Sequence, residues 1–128
     1  SENDEDNSED GFETEGDKTL PRSPKVFAVT FPDGTVINEA NKFETYHKVL
    51  SKIGIEKVEN IAAEMKYHRH HTPLVTKSKH EAILNDSTYN YIQEGNYYVV
   101  KGINQITMYR MVMLLNDRLN LQLKVQYE

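Results

Sequence analysis

The sequence has no cysteine, and it has no apolar run of the length that a membrane-spanning helix requires. The absence of cysteine excludes disulfides, thiol catalysis and zinc sites built on thiolates. A membrane-spanning helix needs about 18 or more consecutive apolar residues, and a secretory signal is basic and then apolar, whereas this N-terminus is acidic. We therefore expect a soluble, cytoplasmic protein with no membrane partner.

Acidic residues are concentrated at the N-terminus. Residues 1–24 contain nine acidic and two basic residues, a net charge of −7, whereas residues 25–128 contain 13 basic and 11 acidic residues, a net charge of +2. A segment so charged and so poor in apolar residues cannot bury enough surface to offset the entropy lost on ordering. We predict a disordered acidic tail or linker over residues 1–24 and a single domain over residues 25–128.

Two β-hairpins are predicted from alternating residues and turn residues. Residues 25–37, KVFAVTFPDGTVI, alternate along the first strand and contain a Pro-Asp-Gly turn at residues 32–34. Residues 87–102, STYNYIQEGNYYVVKG, contain aromatic and β-branched runs on either side of Glu-Gly-Asn at residues 94–96. A short strand at residues 73–75 lies between these hairpins.

Apolar residues at helical spacing predict three helices. The first begins after an N-cap at Asn38 or Asn41 and ends at Gly54, and a shorter one follows to about residue 65. The third covers residues 105–120 and has an unusually wide apolar face. That face comprises Ile106, Met108, Met111, Val112, Leu115 and Leu119, and is widened by Met113 and Leu114.

The order of the elements favours an α+β fold. After the third helix, residues 119–127 alternate strictly between apolar and polar, which predicts a closing strand with one solvent-facing side. Strands and helices in this order form most simply a two-layer sandwich, with a mainly antiparallel sheet and two main helices on one face.

No catalytic signature is present. The sequence lacks a glycine-rich phosphate loop, a nucleophile elbow, a His-Glu-x-x-His motif and a calcium loop. A serine or threonine nucleophile needs a histidine and an orienting carboxylate, yet four of the five histidines lie where acidic residues are absent. We predict a non-catalytic binding module with no catalytic residue and no cofactor.

The most informative segment for binding is residues 66–80, KYHRHHTPLVTKSKH, which contains three lysines, one arginine, four histidines and no carboxylate. An anion is the expected ligand, and nucleic acid is the leading candidate. The predicted nucleic-acid-binding residues are Lys66, Tyr67, Arg69, Lys77 and Lys79. The basic residues would neutralise phosphates and the tyrosine would stack on a base. The alternative is a basic loop that only aids solubility.

Histidines in the same segment raise the question of a metal site. The four are His68, His70, His71 and His80. Zinc needs three or four converging donors with orienting acceptors behind them, and adjacent histidines in an extended segment point to opposite sides. The neighbouring cations also oppose a dication. A solvated loop is the favoured interpretation, and no metal ligand is predicted.

A second class of function, association with a protein or with a second copy of the chain, rests on the wide face of the 105–120 helix. Met108, Met111 and Met113 lie on it, and methionine is common at adaptable contact surfaces. The acidic tail fits either class of function. It is a spacer to another domain, or a tethered competitor for the basic segment.

Five stretches of the sequence resemble an uncharacterised bacterial domain. They are FPDGTVI, VLSKIGIEKVENI, TPLVTKSKH, NYYVVKG and LNDRLNLQLKVQ. Similar domains are found mainly as C-terminal accessory modules in proteins of restriction and related DNA-processing or defence systems, and the similarity covers about residues 26–125. The resemblance implies a binding or assembly module without chemistry. The related pattern is rich in serine and threonine after the aromatic strand, where this chain has VKGINQIT with only Thr107, which leaves residues 66–80 as the expected phosphate contact.

Overall fold

The computed structural model describes residues 20–64, 66–67, 72–79 and 91–128. In chain order, its elements are β1 (Phe27–Thr30), β2 (Val36–Ile37), α1 (Lys42–Ile53), α2 (Ile55–Ala62), β3 (Lys66–Tyr67), β4 (Thr72–Pro73), β5 (Val75–Thr76), β6 (Tyr91–Glu94), β7 (Tyr97–Val100), α3 (Gln105–Leu119) and β8 (Lys124–Tyr127). Most of the predicted tail, residues 1–19, lies outside the described residues.

The first predicted hairpin is confirmed, because β1 pairs antiparallel with β2. Its turn uses Gly34 at a φ of 94°, a conformation that favours glycine, and the Asp33 carboxylate accepts a hydrogen bond from the Thr35 amide at 2.9 Å. Strand β8 pairs antiparallel with the other side of β1, which gives a three-stranded sheet in the order β2-β1-β8.

The closing strand is shorter than the alternation of residues 119–127 predicts. Leu119 is the last residue of α3, and Asn120 ends the helix in the left-handed conformation. Asn116 then binds the chain beyond the cap, because its backbone oxygen accepts from the Leu121 amide at 3.2 Å and its side chain accepts from the Leu123 amide at 2.9 Å. The prediction of a strand over residues 119–123 is therefore wrong: the polar Asn116 holds these residues in a helix cap, and alternation alone cannot reveal that.

Asn41 and Gly54 set the two ends of α1, and Gly54 also precedes α2. Of the two candidate caps, Asn41 is the one used, since its side chain accepts hydrogen bonds from the amides of Phe43 and Glu44. Gly54, at a φ of 115°, ends α1 and allows α2 to start in the next residue. The apolar faces of both helices are buried, as their spacing predicts.

A second three-stranded antiparallel sheet has the order β5-β7-β6 and contains the second predicted hairpin. A two-residue ladder between β3 and β4 lies upstream of β5. Helix α1 contacts β1, α2 and α3, while α2 contacts β5 and β7, so one continuous core joins both sheets to the helices. The α+β fold with antiparallel pairing is confirmed, and its strands form two small three-stranded sheets and the β3–β4 ladder.

Residues just upstream of the predicted domain boundary contact the first sheet. The Tyr127 hydroxyl of β8 donates a hydrogen bond to the backbone oxygen of Pro21 at 2.7 Å, and Leu20 packs against the core. Pro24 is buried. In the part of the chain that the structure describes, no helix is long and apolar enough to cross a membrane.

Candidate functional site

The described residues of the basic segment, 66–67 and 72–79, take part in two separate strand ladders. The backbones of Lys66 and Tyr67 pair with Pro73 and Thr72, so the chain folds back on itself at this point. Arg69 lies in the connection between these two short strands, and it falls outside the described residues together with His68, His70, His71 and His80. Of the five predicted nucleic-acid-binding residues, Lys77 and Lys79 are the two whose side chains are described.

The centre of the basic segment is part of the core. Leu74 and Val75 are fully buried, and Thr76 is 4% exposed. The Leu74 backbone oxygen accepts a hydrogen bond from the Val100 amide at 3.0 Å, while β5 pairs with β7. This buried stretch lies between the β3–β4 ladder and the exposed Lys77 and Lys79 that follow β5.

Lys77 and Lys79 leave the core directly after β5. The Thr76 hydroxyl accepts a hydrogen bond from the Ser78 amide at 3.1 Å, a local turn that ends the strand. Both lysines are exposed, and within the described residues neither forms an ion pair. The Lys77 ammonium lies 5.7 Å from the centroid of the Tyr97 ring, within cation–π range.

The tyrosines of the second hairpin divide between the two faces of their sheet. Tyr97 and Tyr98 are adjacent on β7 and therefore point to opposite sides. Tyr98 makes an edge contact with Tyr91 at 5.2 Å between centroids, so these two form a packing pair across the strands. Tyr97 is the described tyrosine that accompanies Lys77, a partnership set by the pairing of β5 with β7, which no local sequence signal indicates.

Three cations elsewhere in the described residues are paired with carboxylates. Lys48 binds Glu39 at 2.9 Å, Lys52 binds Asp33 at 3.0 Å and Arg118 binds Glu64 at 2.8 Å. The backbone hydrogen bond from Thr35, reinforced by Lys52, lowers the pKa of Asp33 from 3.8 to about 2. Glu39 in turn raises the pKa of Lys48. These cations support the fold, in contrast to Lys77 and Lys79.

A serine, a histidine and a glutamate do meet on α1 and β6. The Ser51 hydroxyl donates to Glu94 Oε1 at 2.7 Å, and His47 Nε2 lies 2.9 Å from the same oxygen. Nucleophilic activation requires the histidine to bind the serine, with the carboxylate behind the histidine. Here both groups bind the carboxylate instead, so the cluster attaches the second hairpin to α1. Within the described ranges, no group of three histidine or carboxylate side chains is placed to hold a metal ion.

The outer side of α3, proposed above for protein association, is partly covered. Met113 and Leu114 are both half-buried, and Leu114 packs against the core. Among the described residues, the large apolar side chain that is exposed is Val36 of β2, at 60%. An association surface of this kind requires a contiguous uncovered apolar patch.

Comparisons of the chain with protein-family models, with curated proteins and with solved structures found no match. The interpretation of function therefore rests on the geometry of the residues themselves.

Proposed function

We propose that the domain is a non-catalytic binding module for nucleic acid, with Lys77 and Lys79 holding phosphates and Tyr97 beside them. The observation that carries the proposal is a pair of exposed lysines without acidic partners in the described residues, one of which, Lys77, lies over the Tyr97 ring. Single-stranded nucleic acid is bound by this combination of cationic groups and aromatic faces.

The position of the lysines supports binding because the core holds their backbone. They follow a strand whose residues Leu74 and Val75 are fully buried, so the chain that carries the two charges is fixed while their ammonium groups reach solvent. Lysines that contact phosphates displace the counterions bound to the nucleic acid, and the affinity therefore depends steeply on salt concentration. Lys66, Tyr67 and Arg69 belong to the same proposal, as the contribution of the upstream end of the segment.

The proposal is tested by fluorescence anisotropy with labelled single- and double-stranded oligonucleotides. The combined substitution Lys77→Ala and Lys79→Ala should weaken binding at least about tenfold at low salt. Loss of two phosphate contacts should also reduce the slope of log K against log salt by about 1.4 for single strands or about 1.8 for duplex. A Tyr97→Leu variant should weaken the binding of single strands more than that of duplex, because only splayed bases stack.

The matched control is Lys57→Ala combined with Lys124→Ala, which removes two exposed lysines on α2 and β8 and changes the net charge equally. It should leave affinity within about twofold. Absence of binding by the full chain at low salt would overturn the proposal and favour association with protein. Equal losses in both double variants would overturn the assignment of Lys77 and Lys79.

The role of the acidic tail is tested with a chain that begins at Lys18. This start removes all nine acidic residues of the tail while keeping Leu20 and Pro21, which contact the domain. Tighter binding by the shorter chain would identify the tail as a tethered competitor, since tethering gives it a high effective concentration. Unchanged affinity would identify it as a spacer.

A further inference from the structure

Strand β8 forms one edge of the first sheet. It pairs with β1 on one side, and no described strand pairs with its other side. Val26 and Glu128 exchange two backbone hydrogen bonds, at 3.0 and 3.1 Å, and this exchange fixes the alternation of the ladder. Gln126, two residues before Glu128, therefore bonds β1 in the same way. Val125 and Tyr127 direct their backbone amides and carbonyls away from the sheet.

The outward side of β8 has unused pairing capacity. Among the described residues, none bonds the outward backbone groups of Val125 and Tyr127. The Val125 side chain lies opposite Val29 and packs against the core, yet it is only half-buried. A free strand edge can pair with a strand of another chain. An added strand would bind these backbone groups and cover Val125.

The exposed face of β8 carries charges that complement each other when two copies meet. Lys124, Gln126 and Glu128 alternate along this face and are all exposed, and Gln126 Nε2 donates to Glu128 Oε2 at 2.8 Å. Lys124 forms no ion pair within the described residues. If two copies of β8 run antiparallel about Gln126, Lys124 of each copy lies opposite Glu128 of the other.

The same arrangement satisfies the backbone. With Gln126 opposite its own counterpart, Val125 of one copy lies opposite Tyr127 of the other, and these are the residues whose backbone groups face outward. Each such pair exchanges two hydrogen bonds in an antiparallel ladder. A shift of two residues would place Lys124 opposite Gln126 and leave its charge unmatched. Charge and backbone direction therefore select one register.

The other described sheet edges lack this match. Strand β6 is an edge of the second sheet, and its sequence YIQE contains one acidic and no basic residue, so two copies of it offer no ion pair. Strands β2 and β5 are two residues long and offer little backbone for pairing. Strand β8 is therefore the edge that best fits a second copy of the chain.

We propose that β8 is a self-association surface, at which two copies of the domain join their first sheets into one continuous antiparallel sheet. Each copy uses the same edge, so the assembly closes as a two-fold dimer and does not extend. A contact between two short strands is small against the roughly 1,200–2,000 Å² of stable interfaces, so the dimer should be weak. Lys77 and Tyr97 belong to the second sheet, and the pairing does not use them.

The first test is sedimentation of the full chain between about 1 µM and 1 mM, a range that covers weak dimers. We expect monomer at the low end, dimer at the high end and no larger species. Hydrogen exchange of the Val125 and Tyr127 amides should slow as the dimer forms, while that of the Gln126 amide, which already bonds β1, should not change.

Two results of this test would overturn the proposal. One is a monomer at every concentration. The other is a monomer in which the Val125 and Tyr127 amides are already protected and lose that protection when residues 1–17 are removed. That result would show that the tail of the same chain occupies the edge.

Charge reversal tests the register. Lys124→Glu and Glu128→Lys each place like charges opposite one another, and each should weaken the dimer at least about fivefold. An equal mixture of the two variant chains restores both ion pairs and should dimerise about as well as the unsubstituted chain. The control is Lys57→Glu, an equal charge change at an exposed position on α2, which should alter the affinity less than about twofold. Dimers insensitive to both single reversals, or a mixture that stays monomeric, would overturn the proposal.

Discussion

Helix α1 contacts both hairpins of the structure. It binds the first through a lysine–aspartate ion pair and the second through a histidine and a serine that share one glutamate oxygen. Lys52 binds Asp33 in the turn of the first hairpin, whereas His47 and Ser51 bind Glu94 at the end of β6 in the second. The Asp33 side chain is 57% exposed and the Glu94 side chain 32% exposed. A more sheltered carboxylate with two partners contributes more to stability, since solvent screens exposed ion pairs.

Helix α1 positions both sheets through one polar side. The residues of α1 that hold the hairpins lie on its polar side, while Tyr46, Val49 and Leu50 on its other side are fully buried. Each hairpin pairs with one further strand, β8 in the first sheet and β5 in the second, and the attachment through Glu94 adds a link from the second hairpin to α1. Since β7 of the second hairpin carries Tyr97, that attachment also fixes the proposed nucleic-acid surface.

The largest expected effect comes from breaking the Glu94 attachment. Glu94→Ala removes the acceptor of two hydrogen bonds, and we expect the free energy of unfolding to fall by about 1–2 kcal/mol. Glu94→Gln keeps an acceptor oxygen and should cost less. Denaturant unfolding measures both values, and hydrogen exchange should show faster opening at Gly95 and Tyr97 with no change at Thr35. Equal acceleration of hydrogen exchange in both hairpins would show that Glu94 does not act on the second hairpin alone.

A smaller effect, of opposite sign, is expected at Tyr46 on the buried side of α1. Its ring is fully buried, burial raises the pKa of its hydroxyl, and within the described residues that hydroxyl has no hydrogen-bond partner. Removing a buried hydroxyl without a partner removes its desolvation cost. Tyr46→Phe should therefore raise the free energy of unfolding by about 1 kcal/mol.

Tyr127 provides the matched control for Tyr46. Its hydroxyl donates to the backbone oxygen of Pro21 at 2.7 Å, so Tyr127→Phe leaves a carbonyl without its donor. That variant should lower the free energy of unfolding by about 1 kcal/mol. Denaturant unfolding measures both variants. A decrease in the free energy of unfolding of Tyr46→Phe, like that expected of Tyr127→Phe, would show that the Tyr46 hydroxyl has a partner in solution.

Local sequence signals predict both hairpins and the start of α1, because Pro-Asp-Gly, Glu-Gly-Asn and Asn41 act on neighbouring residues. They do not predict contacts between distant segments. The attachment of Glu94 to His47 spans 47 positions, and the partnership of Lys77 with Tyr97 depends on the pairing of β5 with β7. The alternation of residues 119–127 misleads for a related reason, since the Asn116 side chain that ends α3 outweighs it.

The same limit applies to the candidate site. Charge predicts that residues 66–80 contain binding groups, and Lys77 and Lys79 are exposed as that interpretation requires. Composition does not predict that Leu74 and Val75 at its centre enter the core, because strand burial depends on the partners that β5 meets.

The smallest expected effect concerns the turn of the first hairpin, and it appears as a pH dependence. Asp33 has a pKa of about 2 in the folded chain, against an ordinary value of 3.8, because of the Thr35 amide and Lys52. A carboxyl group whose pKa is lowered by folding stabilises the fold above its unfolded pKa and loses that effect as pH falls through the folded pKa. Asp33→Asn should therefore reduce stability at neutral pH, and its difference from the unsubstituted chain should vanish between about pH 4 and pH 2.

Denaturant unfolding of both chains across that pH range measures the effect, with Asp117→Asn as a control of equal charge change at an exposed position on α3. The control should show no comparable convergence. A constant difference between the Asp33→Asn chain and the unsubstituted chain down to pH 2 would mean that the carboxylate charge does not contribute. The first hairpin would then be held by the shape of its turn alone, and the contrast with the Glu94 attachment would become sharper, since only the second hairpin would depend on a charged group bound to α1.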